Sequence, residues 1–146
     1  MINIYADGGC RNNKRGIENI GAWAYRIEME DSVTEYSEPV KNTTNNQMEL
    51  MAVIKALSSL DVGSSVTVWV DSQYVHKGIT EWSMRWKRNN WKTKTKKDIA
   101  NKDLWLELDR LNSLHKITWK WVKGHSGNLG NERVDYLLNQ SMNQVS

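Results

Sequence analysis

The chain has 146 residues, 25% charged and 39% hydrophobic, with a formal net charge of +3 and a sequence pI of about 9.0. That length and balance fit one domain, 1–146, with its own core. They exclude a membrane-spanning design, because no apolar run approaches the length a bilayer requires. The single cysteine, Cys10, excludes an internal disulfide and suits a reducing, cytoplasmic setting. "MINIYADGG" lacks the basic-then-apolar pattern of a secretory leader. Eight tryptophans and no phenylalanine are unusual; the ordinary place for Trp23, Trp69, Trp105, Trp119 and Trp121 is the core.

In chain order, "INIYAD" alternates, with Ile2, Ile4 and Ala6 on one face and Tyr5 and Asp7 on the other, which predicts a strand ending at Asp7. "GGCRNNKRG" reads as a loop from its glycines and asparagines. "GAWAYRIEME" and "SVTEYSEPV" form a hairpin turning near Glu30, Asp31 and Ser32. A helix follows from about Thr44 to Leu60, with Leu50, Val53, Ile54, Leu57 and Leu60 on one stripe. Thr44 and Gln47 are spaced as a capping box at its start. "SSVTVWVD" is a β-prone run ending at Asp71. "SQYVHKGI" reads as a short helix stopped by Gly78, "TEWSMRWKRNN" as another helix and "WKTKTKKDIA" as a basic loop. "NKDLWLELDRLNSL" is amphipathic through Leu104, Leu108 and Leu111, and "ITWKWV" is a last strand. "KGHSGNLG" is a loop, and "NERVDYLLNQSM" is a helix with Val134, Leu137 and Leu138 inward.

A strand reached through a crossover helix can lie parallel to an earlier one. The strand ending at Asp71 is therefore placed beside the one ending at Asp7, and ligands of open α/β sheets bind beyond such strand ends. Glu49 lies on the flank of its helix's apolar stripe, and Asp135 follows the loop that carries His125. Each residue has an ordinary account. Glu49 can be a rim residue, Asp71 a helix cap, Asp135 a complement to the helix dipole and His125 a loop histidine. Their joint account is one site. Gathered acids repel unless a cation lies between them. Magnesium takes oxygen ligands and keeps waters, and four carboxylates suit two such ions clamping a phosphodiester. A histidine beside such a site is a proton carrier.

The segment "EWSMRWKRNNWKTKTKK" brings Arg85, Lys87, Arg88, Lys92, Lys94, Lys96 and Lys97 together with Trp82, Trp86 and Trp91. A charge run is ordinarily a solvated face, and tryptophans four apart are ordinarily a packing stripe. Together they suit a groove that follows a phosphate backbone without reading sequence.

"YADGGC", "TTNNQMELMA", "DSQYV", "GITEW", "NKDLW", "WVKGHSGN" and "NERVD" occur in the order and at the spacing of type 1 ribonuclease H, which the chain resembles over almost its whole length. The resemblance implies an α/β, ribonuclease H-like fold with a mixed five-stranded sheet flanked by helices. It implies metal-dependent endonucleolytic cleavage of the RNA strand of an RNA–DNA hybrid, leaving 5′-phosphate and 3′-hydroxyl ends. The cofactor implied is Mg2+, with Mn2+ as the alternative, two ions per site. By the same match Asp7, Glu49, Asp71 and Asp135 are the metal-binding acids, and His125 is the catalytic helper. Cys10, Asn13, Asn45 and Gln73 fall where the family meets the hybrid, whose minor groove displays the 2′-hydroxyls that mark RNA; Asn45 also fits a second helix-cap residue. Thr44 falls at the family's phosphate pocket, although Asn42 stands where arginine is frequent. The basic segment matches a protrusion that holds the DNA strand, with Trp82 and Trp86 facing it, Lys87 and Arg88 on phosphates, and Trp91 packing within the arm. Tyr136 stands where glutamate is frequent. The chain begins at the first strand without a separate hybrid-binding module, and a monomer without an obligate protein partner is expected. Recombinases and junction nucleases of related fold lack the "GHSGN" and "NERVD" ending combined with a basic arm. A module that binds hybrid without cutting it has no use for four clustered acids, and metal-dependent cleavage separates it from the enzyme.

Overall fold

The computed structural model describes residues 1–12 and 19–145. Five strands, β1 (Ile2–Asn12), β2 (Asn19–Glu28), β3 (Val33–Lys41), β4 (Ser65–Val70) and β5 (Lys116–Trp121), form one sheet in the order β3-β2-β1-β4-β5. β1–β2 and β2–β3 are antiparallel, whereas β1–β4 and β4–β5 are parallel. The expected mixed five-stranded sheet is what forms. The hairpin turns where expected, with the Met29 amide donating to the Ser32 carbonyl at 2.8 Å.

Helices α1 (Asn45–Ser58), α2 (Gln73–Lys77), α3 (Ser83–Arg88), α4 (Lys102–Leu114) and α5 (Leu129–Asn143) complete the fold. Side chains alternate across a strand. Ile4 and Ala6 of β1 enter one apolar cluster with Leu50, Val53 and Leu57 of α1 and Trp105, Leu108 and Leu111 of α4. Tyr5, on the opposite face, packs with Val134, Leu138 and Met142 of α5. Full burial of side chains such as Leu57 or Leu108 contributes about 1.5–3 kcal/mol each.

Three elements depart from the sequence reading. β1 does not end at Asp7 but continues through Gly8, Gly9 and Cys10 to Asn12. The glycines there serve close approach, because a Cβ on Gly8 would lie 2.2 Å from the Met48 carbonyl of α1. Gly78 does not stop a helix either. The chain runs on as a π-turn (Gly78–Trp82) directly into α3. Gly78 is required because a Cβ would lie 2.0 Å from the Trp105 ring. Trp121, taken as core, is 41% exposed at the last position of the edge strand β5. Trp23 and Trp105 are buried, and Trp69 and Trp119 are half-buried.

Candidate active site

The parallel ladder of β1 on β4 ends at Ala6 opposite Val70. Asp7 and Asp71 are the next residue on each chain, so the register makes them neighbours. α1 brings Glu49 to the same end of the sheet. The Thr44 hydroxyl starts that helix by accepting the Gln47 amide at 3.1 Å. The reciprocal half of the capping box does not form, because the Gln47 side chain takes the Thr43 hydroxyl at 3.0 Å. Asp135 arrives on the second turn of α5, whose first turn is capped by Asn128.

The acids act on one another's charge. Burial, then the charges of Asp71, Asp135 and Glu49, push the Asp7 carboxyl up to about 9, against a smaller opposing hydrogen bond from the Gly8 amide. That amide donates to Asp7 Oδ1 at 3.0 Å. Glu49 is also raised by burial, with Asp71 adding to the rise and the Ser72 hydroxyl opposing it. Among the described residues, no group of three or more His, Cys, Asp and Glu side chains is drawn together closely enough to hold a metal ion. The charges of Asp71, Asp135 and Glu49 each raise the Asp7 carboxyl, so a cation among them would offset their repulsion. An all-oxygen donor set around a buried carboxylate fits a hard divalent cation.

Several neighbours escaped the sequence reading. Ser72 donates to Glu49 Oε2 at 2.7 Å while accepting the Val75 amide at 3.1 Å, so it caps α2 and aims Glu49 together. The Trp121 indole donates to the Asp71 carbonyl at 2.9 Å. A Cβ on Gly124 would lie 3.3 Å from Asp71 Oδ2, so the loop before His125 runs against that carboxylate. His125 itself is exposed and left-handed, with φ 57°. The Ser72 cap on Val75 is local, but the contacts to Glu49 and Asp71 carry a weak sequence signal, since each depends on a partner at least 23 residues away, as Ser72 and Glu49 are.

The expected substrate contacts divide into two groups. Asn45 Oδ1 accepts the Cys10 amide at 2.7 Å, which ties β1 to the start of α1. Cys10 is half-buried, and Thr44, Asn45 and Gln73 are exposed beside the acids' end of the sheet. Asn13 lies outside the described residues. A cleft of about 630 Å³ opens between α1 and α4 near Asn42, Gln47 and Met51, and it contains none of the four acids.

The basic segment folds around aromatic rings. The Trp86 ring lies 5.0 Å from that of Trp105, 6.0 Å from Trp82 and 6.1 Å from Trp91. Trp86, expected at the surface, therefore packs against the core with Trp91, because its ring meets the buried face of α4. Trp82 is half-buried against Tyr74. Lys87 pairs with Asp109 of α4 at 2.7 Å, and Arg88 is exposed. Lys92 and Lys102 converge on Asp98 at 2.9 and 3.3 Å, closing the loop. A cleft of about 440 Å³ under this arm is lined by Trp82, Arg85, Trp86, Lys92 and Lys94 among others.

The family model described as RNase H matches residues 1–143. The chain is 46% identical over 142 residues to the ribonuclease H of Francisella philomiragia, covering 97% of this chain and 91% of that one. It is 46% identical over 141 residues to the ribonuclease H of Francisella tularensis subsp. novicida, at 97% and 90% coverage. The crystal structure of LC9-RNase H1, described as a type 1 RNase H with the type 2 active-site motif, is 30% identical with a TM-score of 0.81, over 99% of this chain and 73% of that one. A foamy viral protease–reverse transcriptase in complex with RNA/DNA hybrid shares the fold at 18% identity and a TM-score of 0.84, over 99% of this chain and 20% of that one. With these matches spanning nearly its whole length, the chain belongs to the RNase H family.

Proposed function

We propose that Asp7, Glu49, Asp71 and Asp135 hold two divalent cations, magnesium in the first place and manganese as substitute, in the metal-dependent cleavage of the RNA strand of RNA–DNA hybrids that membership of the RNase H family brings. The observation that carries the reading is Asp7, buried with three other acids acting on its charge. A cation pair there would supply an activated water and stabilise the leaving oxygen. The protein's own part is to hold the acids. The pairing of β1 with β4 runs to Ala6 and Val70, the residues just before Asp7 and Asp71. Ser72 aims Glu49. The capped start of α5 sets Asp135. His125, exposed on its loop beside Gly124, moves a proton at the edge of the site.

Asn45 and Gln73 read the minor groove with side-chain amides that both donate and accept. Cys10 lies on the same approach, and Asn13 is assigned to the hybrid from the sequence resemblance alone. Thr44 takes a DNA-strand phosphate, and Trp82, Lys87 and Arg88 line the arm along that strand. The whole chain acts as one catalytic domain and as a monomer. Its one cysteine, free in the fold, suits the reducing cytoplasm.

The test is cleavage of end-labelled RNA–DNA, RNA–RNA, DNA–DNA and single-stranded RNA, each with magnesium and with chelator. Magnesium-dependent cutting confined to the RNA of the hybrid, leaving 5′-phosphate ends, is the expected result. Cutting that persists in chelator would overturn the metal assignment.

A further inference from the structure

Asn131 is buried, 3% exposed, and its Nδ2 has no hydrogen-bond partner among the described residues. Buried polar side-chain atoms are nearly always paired, and an unpaired one carries a desolvation penalty that nothing offsets. Helix capping does not explain it. Asn128 Oδ1 takes the Asn131 backbone amide at 2.9 Å, so the Asn131 side chain plays no part in that bond. Core packing does not explain it either, since an apolar side chain would fill the space without the penalty.

Its position explains more. Asn131, Val134 and Leu138 share the buried stripe of α5 that lies on the sheet. Asp135 stands one turn beyond Asn131 on the same side of the helix. The adjacent Gly130 rests on Tyr5, where a Cβ would lie 2.3 Å from the ring. Asp7 is two residues further along β1 and therefore on the same face as Tyr5. The idle donor thus sits on the first turn of α5, at the end of the sheet where the acids meet. One oxygen of Asp7 is already held by the Gly8 amide.

We propose that Asn131 is a positioning residue whose Nδ2 donates to the Asp7 carboxylate when a divalent cation occupies the acid cluster, so that Gly8 and Asn131 together fix which oxygen faces the cation. An amide donor adds no charge to a site already crowded with like charge, and it strengthens when its acceptor is ionised. The role rests on the reading of Asp7 as a cation ligand.

The experiment is a calorimetric titration of the full chain with magnesium, paired with thermal unfolding in chelator, for the wild type, Asp7→Asn, Asn131→Leu and Asn131→Ala. Both Asn131 variants are expected to bind magnesium about tenfold more weakly, the loss of one hydrogen bond to a charged acceptor. Their metal-free unfolding temperatures should stay at or above the wild type, because a buried unpaired donor has been removed. Asp7→Asn should lose most magnesium binding. Unchanged magnesium affinity in both Asn131 variants, with Asp7→Asn weakened, overturns the role of Asn131 alone. Wild-type affinity in Asp7→Asn overturns the assignment of Asp7 beneath it.

Discussion

Asp7 is 7% exposed, pairs with Ala24 of β2 and stands one residue beyond the end of the β1–β4 ladder. Lys87, Arg88 and the lysines between residues 92 and 97 stand in solvent on a one-and-a-half-turn helix and a loop. The first region keeps its charges close against their own repulsion, in surroundings that penalise ionisation. The second spreads its charges in water, where pairs such as Lys87 with Asp109 are worth little and exchange readily. Under the proposed function, chemistry that must place a reacting phosphate within a fraction of an ångström would use the rigid end, and recognition of a uniform phosphate backbone would use the soft end, where an ammonium can leave one partner for another.

Three experiments would break or sharpen that contrast. The largest effect is expected at the rigid end. Asp71→Asn should lower hybrid cleavage on the order of 10²–10³-fold, as when a charge-stabilising group is removed, with the hybrid dissociation constant nearly unchanged in a binding assay. A near wild-type rate would remove Asp71 from the site. The next effect concerns stability. Folding raises the Asp7 carboxyl from 3.8 to about 9, so the folded state favours its protonated form. Its contribution is fully present below pH 3.8 and is lost as pH climbs toward 9. Asp7→Asn should therefore make the chelator-treated protein more stable at pH 8, with no gain near pH 3.5. Urea denaturation at the two pH values measures this, and a gain independent of pH would break the electrostatic account. The smallest effect belongs to the arm. Lys87→Ala with Arg88→Ala should weaken hybrid binding and reduce the slope of log K against log salt by about 1 per lost phosphate contact. Folding stability should fall by less than about 1 kcal/mol. An unchanged salt slope would turn the arm away from the substrate.

Local sequence carried much of this. Thr44 at a helix start, the turn before Val33 and the stripe of Leu108 and Leu111 follow from patterns a few residues long, and each forms as read. The acids were legible one by one, as strand-end and helix-flank carboxylates. Glycines misled in both directions. Gly8 looked like a turn and is a close contact with α1, whereas Gly78 looked like a stop and is a seat for Trp105. Trp86 and Trp121 exchanged places relative to expectation, one packed on α4 and the other exposed on an edge strand. A tryptophan's size does not say which neighbour will cover it.

By itself the sequence determined the order of strands and helices, the family, and which carboxylates and basic residues were available for the chemistry. The elements follow from spacing of two, three or four residues, which the chain carries locally, and the family from the order of its motifs along the chain. The tertiary structure decided that β1 runs on past Asp7, that Ser72 aims Glu49, that Lys87 reaches Asp109, and that a buried amide on Asn131 lacks a partner among the described residues. Each of these depends on where a residue far away in the chain comes to rest, and only the closed core fixes that distance.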